Sequence, residues 1–169
     1  MASNNVAPFF EVSTMTTQNM LSTRIEKQDL IKDRSCDILL VDDNPNILAI
    51  MSACLEKKGS SVTKASDGRA ALEAIKKHFY DLVITDLKMP KANGFAILKE
   101  AKIVNPDTIV IIASGNQQFE SAIEALHLGA DGYLLKPFGP DELYVRINQC
   151  FKKVEQKKNN RLPINCCVP

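Results

Sequence analysis

Five polar residues stand where apolar runs of this sequence end: Asp42, Asp43, Asp86, Ser114 and Lys136. Asp86 is the plainest case. Leu82, Val83 and Ile84 have the character of a buried strand, and two residues later the chain carries a bare carboxylate, with Met89-Pro90 just beyond. A charge so close to an apolar interior is costly unless something pairs with it. An Asp at a strand end can simply open a turn or cap the next helix. The question is whether the other four residues come to it. If they do, the set has a chemistry. Clustered carboxylates repel one another and favour a cation, and a hard divalent ion, Mg²⁺ (or Mn²⁺), suits a site of few carboxylates, a carbonyl and water. A lysine adds a mobile positive charge and a serine a hydroxyl donor. With the ion, these are the groups a transferring phosphoryl needs around its oxygens. One carboxylate is left to act as nucleophile.

The elements that must position these residues alternate. Apolar runs of strand length lie at 38–41, 82–84, 109–113 and 133–135, with a weaker one around Val62. Helical periodicity fills the gaps at 47–55, 70–79, 95–104, 121–128 and 143–154. Asn44-Pro45 starts the first helix and Ser66-Asp67-Gly68 the second; Gly59 and Gly129 stop the first and fourth. Strands alternating with helices predict right-handed βαβ units, hence a parallel sheet covered on both faces: a doubly wound α/β sandwich. In such a sheet ligands bind beyond the carboxyl ends of the strands, where strand order reverses. The five polar residues all fall at that rim.

The rest of the composition excludes more than it assigns. At 169 residues with 45% hydrophobic and 24% charged content, the chain reads as one soluble globular domain. The net charge of +1 gives no overall bias toward nucleic acid or membrane. The balance is uneven: 152–169 carries five Lys/Arg against one Glu, whereas 35–151 carries twelve basic against fifteen acidic residues. Residues 1–34 are rich in Ser, Thr, Asn and Gln, and read as disordered or, around Leu21, Ile25 and Leu30-Ile31, as a short helix. The divisions expected are therefore an extension at 1–34, a domain at 35–151 and a basic tail at 152–169. Cys36, Cys54, Cys150 and Cys166-Cys167 lack the spacing of a zinc site and fit reduced cytosolic thiols. Cys166 stands where a prenylation box would have it, but the final Pro169 does not suit one. Neither a signal peptide nor a membrane span is evident.

The stretches "ILLVDDNPNIL", "DLVITDLKMPKANGF", "VIIASGN" and "GADGYLLKPF" resemble the receiver domain of two-component response regulators, in that family's order and spacing, over 36–151. The resemblance implies a flavodoxin-like three-layer sandwich with strand order 2-1-3-4-5, close to the single-domain chemotaxis regulators. It implies that Asp86 is the phosphoacceptor, that Asp43 touches the metal directly and Asp42 through water, and that Lys88 gives it a backbone carbonyl. Ser114 and Tyr133 stand at the switch positions, Lys136 at the lysine position, and Lys136–Pro137 where the family has a cis peptide. Lys88 and Asn116 occupy the positions that tune dephosphorylation, and the long cationic Lys88 implies a long-lived phosphoform.

The partners implied are a histidine kinase or histidine phosphotransfer protein as donor. A protein target, or a second copy of the chain, would use the face of the fourth helix, fifth strand and fifth helix, about 117–128, 132–135 and 141–154. No sequence-specific nucleic acid, no membrane and a cytoplasmic location are expected. The segment after 151 is short for an output domain, so the chain reads as a single-domain regulator or a receiver excised from something longer, and as a phosphoacceptor that slowly loses its phosphoryl group rather than an enzyme. A degenerate binding module would lack one of the acids, the hydroxyl or the lysine. A haloacid-dehalogenase-type phosphatase would need a second Asp where Lys88 stands, and an FMN binder a Ser/Thr/Gly-rich loop where "DDNPN" stands. A P-loop is absent. His78 and His127 read as surface positions, Met89 and Phe138 as packing.

Overall fold

The computed structural model describes residues 35–115 and 119–159. Five strands alternate with five helices: β1 (Asp37–Val41), α1 (Pro45–Glu56), β2 (Ser61–Ala65), α2 (Gly68–Lys77), β3 (Leu82–Asp86), α3 (Gly94–Val104), β4 (Ile109–Ser114), α4 (Phe119–His127), β5 (Gly132–Leu135) and α5 (Pro140–Asn159). All strand pairs are parallel, in the order β2-β1-β3-β4-β5. The doubly wound sandwich expected from the alternation is the fold observed.

Why these strands sit in the middle follows from their side chains. Successive residues point to opposite faces, so Ile38 and Leu40 of β1, Leu82 and Ile84 of β3, and Ile109 and Ile111 of β4 fill one core with Leu48, Met51 and Leu55 of α1 and Leu143 and Ile147 of α5. Leu39, Val41, Val83, Val110 and Ile112 fill the other, with Ala71 and Ile75 of α2, Ile97, Leu98 and Ala101 of α3 and Ala125 of α4. Each fully buried Leu or Ile contributes about 1.5–3 kcal/mol relative to exposure. α1 and α5 are also joined by the Tyr144 hydroxyl, which donates to the Cys54 carbonyl.

The helix punctuation works as the sequence suggests. Asn44, Asp67 and Asn93 side chains accept from Asn46 N (3.0 Å), Ala70 N (2.9 Å) and Ala96 N (3.0 Å), and Gly59 and Gly129 take left-handed backbone at φ 88° and 92°. Two boundaries differ from expectation. α2 stops at Lys77 because His78 is extended (φ −147°, ψ 143°), and Phe79 is left exposed. α5 runs to Asn159, beyond the helical periodicity that ends at 154, and there Lys158 Nζ pairs with Asp107 Oδ2 at 2.9 Å.

At the pole opposite the rim, Asp131 Oδ2 accepts from Lys102 Nζ (2.7 Å) and Val110 N (2.9 Å), tying α3, β4 and the start of β5 together. Cys150 Sγ donates to Asp131 O at 3.3 Å; burial, helped by the Asp131 charge, pushes its thiol up to about 11. Cys36, Cys54 and Cys150 are in no disulfide, and no helix among the described residues is long and apolar enough to cross a membrane. His78 Nε2 lies 3.4 Å from Asp37 Oδ2 and edge-on to Tyr80, while His127 is exposed. Asn116, Cys166, Cys167 and residues 1–34 lie outside the described residues.

Candidate functional site

Parallel strands deliver their carboxyl ends to one rim, and there the expected residues meet. Carboxylate oxygens of Asp42, Asp43 and Asp86 lie within 4.8 Å of one another. Asp42, just past β1, is buried and Asp43 beside it is exposed; Asp86 ends β3 with its side chain 14% accessible. Lys136, just past β5, bridges two of the acids: its Nζ is 2.5 Å from Asp42 Oδ2 and 2.8 Å from Asp86 Oδ2. Burial alone would lower the lysine's pKa, but the hydrogen bonds it donates to Asp42 and Asp86 outweigh it and hold the ammonium above the ordinary lysine range. The Asp42 Oδ1 atom accepts from Asn44 N (2.9 Å), which fixes the turn into α1.

The hydroxyl-bearing Ser114 closes β4 and is buried. Its carbonyl accepts from Lys136 N at 2.8 Å, so the ends of β4 and β5 are joined directly under the lysine. The Lys136–Pro137 peptide is cis. Tyr133 pairs in register with Ile112 on β4 and is half-buried against the second core. Phe138 packs on the first core and, with Ile47, Ile50, Met51, Lys136 and Pro137, lines an apolar groove of about 410 Å³ beside the rim.

The loop between β3 and α3 has a shape that sequence reading did not anticipate. Lys88 N donates to Asp86 Oδ1 (3.3 Å). Two residues on, Ala92 N donates to Pro90 O at 2.9 Å around Lys91, whose φ is +70°. A hydrogen bond spanning one residue of positive φ is a strained γ-turn, costing on the order of 1–3 kcal/mol. Met89 is half-buried against the second core. The loop's neighbours are glycines for want of space: a Cβ on Gly68 would lie 2.3 Å from Ala92 O, and one on Gly94 2.5 Å from Asp86 O. Nothing local in the sequence signals the pairing of Lys91 with Asp67, 24 residues away.

A family profile described as "Response regulator receiver domain" matches residues 38–148. The chain belongs to that family. This receiver is 35% identical over 127 residues to the transcriptional regulatory protein RprY of Bacteroides fragilis, covering 75% of this chain and 54% of that one. It is 40% identical over 113 residues to the transcriptional regulatory protein ZraR of Escherichia coli K12, covering 67% of this chain and 26% of ZraR. It thus spans about half or less of these curated relatives. A receiver domain protein from Methanospirillum hungatei superposes with a TM-score of 0.69 at 30% identity, covering 73% of this chain and 99% of that structure. The beryllofluoride-activated DrrB receiver domain superposes at 0.65 and 29% identity, covering 70% and 99%. The protein is therefore a receiver domain of two-component response regulators with the family's sheet order. The relatives' names conflict with the expectation of no sequence-specific nucleic-acid partner, since both are transcriptional regulators.

Proposed function

We propose that this receiver takes a phosphoryl group on an oxygen of Asp86 from a phosphohistidine of a histidine kinase or histidine phosphotransfer protein. The observation that carries this reading is the bridging Lys136 ammonium: a positive charge already lies between Asp42 and Asp86, with Asp43 close by. The donor set fits Mg²⁺ (or Mn²⁺), because every available ligand is a hard oxygen. Asp43 and Asp86 would hold the ion directly, Asp42 through water and Lys88 through its carbonyl. The ion, when bound, would offset the charge on the phosphoryl oxygens.

The residues do the rest. The Asp86 carboxylate attacks phosphorus; the P–N bond to the imidazole breaks, its electron pair returns to the ring, and the Asp86 O–P bond forms. Lys136 leaves the Asp86 carboxylate for a phosphoryl oxygen, a short move on a four-carbon stem, while keeping Asp42. Ser114 donates its hydroxyl to another oxygen. The receiver is then a phosphoacceptor that slowly loses the group again. The cytoplasm suits it, since cysteines outside disulfides, such as Cys36, Cys54 and Cys150, persist there. No nucleic-acid contact is assigned to the described residues.

Intact-mass spectrometry with acetyl phosphate and Mg²⁺ tests this reading. One phosphoryl increment is expected, absent in excess chelator and in Asp86→Asn; an increment surviving either would refute it. In the same time course Lys88→Asn should hasten decay of the increment, because the exposed Lys88 side chain covers the approach of water in the proposed phosphoform. Slower decay contradicts that part.

Output is proposed through α4, β5 and α5, where Ile123, Leu126, Leu135 and Val145 are exposed apolar side chains. Drawing Ser114 inward makes room for the Tyr133 ring, giving a two-position element that the charge at Asp86 can bias. A protein target or second copy would then bind this face more tightly after phosphorylation. Amide exchange of apo and beryllofluoride forms should differ over α4 and β5, and Ser114→Ala or Tyr133→Ala should erase that difference. Changes confined to the rim would contradict the relay.

A further inference from the structure

The strained turn at Lys91 has an anchor. Lys91 Nζ lies 2.7 Å from Asp67 Oδ2, while Asp67 Oδ1 caps α2 through Ala70 N. One carboxylate thus starts a helix with one oxygen and holds the β3–α3 loop with the other. The hydrogen bond to Lys91, then that to Ala70, holds the Asp67 carboxyl below its usual value, so the pair persists through neutral pH. Backbone reinforces it: Gly68 N donates to Pro90 O at 3.4 Å, and Ala92 O crowds the face of Gly68 that lacks a Cβ. A glycine at 91 would accept φ +70° without strain. What lysine adds at that cost is the reach to Asp67. From the anchored turn, Pro90 and Met89 lead back to Lys88, whose N–H already holds Asp86 Oδ1. With φ fixed at Pro90, the position of the turn is passed along the chain to Lys88.

We propose that the Asp67–Lys91 ion pair is a strap that sets the loop bearing Lys88, making Asp67 and Lys91 positioning residues for cation binding and phosphorylation at Asp86. This rests on the reading of Asp86 as phosphoacceptor. Lys91 is 61% accessible, and exposed ion pairs contribute little to global stability. A strap and a merely structural contact therefore differ in what they move.

The experiment is an NMR titration of the whole protein with MgCl₂, alongside thermal unfolding in chelator and the intact-mass assay. Lys91→Gly keeps the backbone geometry and Asp67→Asn keeps the helix cap. Each should weaken Mg²⁺ binding about tenfold and slow phosphorylation, with no fall in the midpoint of unfolding. The double variant should be no weaker than either single one, because both remove the same contact, and Lys91→Arg should restore affinity. Unchanged Mg²⁺ affinity in both single variants overturns the strap, as does a loss of affinity that tracks a loss of stability. Failure of the phosphoacceptor reading shows separately, as an increment that survives Asp86→Asn.

Discussion

Lys136→Ala should slow phosphorylation of Asp86 by about 10²–10³-fold, the cost of losing one pre-placed donor to a transition-state oxygen, and should lower stability in chelator. The second effect comes from the ground state. Without the ammonium, three carboxylates within 4.8 Å have lost their bridging cation. Removing one partner of a buried pair costs about 3–5 kcal/mol; at this half-open rim screening reduces that to about 1–3 kcal/mol. Mg²⁺ should then raise the melting temperature of the variant more than that of wild type, since it binds only the folded acid cluster. An equal rise in both would show that Lys136 is not the counter-ion of the site. The pH dependence has a definite sign. A lysine whose folded pKa is raised contributes stability fully below its unfolded value of about 10.4, and loses it as pH climbs through the folded value. The gap between wild type and variant should hold through neutral pH and close only in alkali.

Gly94→Ala should destabilise the fold by about 1–3 kcal/mol, although glycine to alanine within a helix ordinarily gains stability. The added Cβ would stand 2.5 Å from Asp86 O and 3.0 Å from Leu87 Cα, both backbone atoms that cannot rotate aside. The start of α3 must then lift off the end of β3, moving Asp86 with it, so phosphorylation should fall alongside stability. Gly139→Ala, where the new methyl meets nothing within 4 Å, serves as the control. Denaturant unfolding of the two variants decides it: a Gly94→Ala protein as stable as wild type would mean the junction has slack.

The strands most visible in the sequence were those buried on both faces, such as Val110, Ile111 and Ile112 of β4. β2 was faint because it is an edge, with Ser61, Thr63 and Lys64 exposed. The helical stripe carried α2 too far, since Phe79 is apolar yet 68% exposed beyond the helix end. It left α5 too short, because the last turns are polar and are held by a contact to Asp107, far away in sequence. The rim was legible because topology alone gathers strand ends, and polar residues after apolar runs mark them. Gly94 and the Asp67–Lys91 pair depend instead on how closely two backbones approach, which no local pattern encodes.

The length of α5 has a consequence of its own. Its 20 residues span about 30 Å, whereas a five-residue strand covers about 17 Å. The helix therefore outruns the sheet at the pole away from Asp86, past its last packed apolar residue, Val154. Such an overhang is a shaft with a fixed angular phase. One residue inserted between Val154 and Lys158 would turn everything beyond it by about 100°, swinging Lys158 away from Asp107, while seven would bring the phase nearly back. Whatever is coupled to the end of α5 is thus aimed by counting residues, independently of the chemistry at the other end of the sheet.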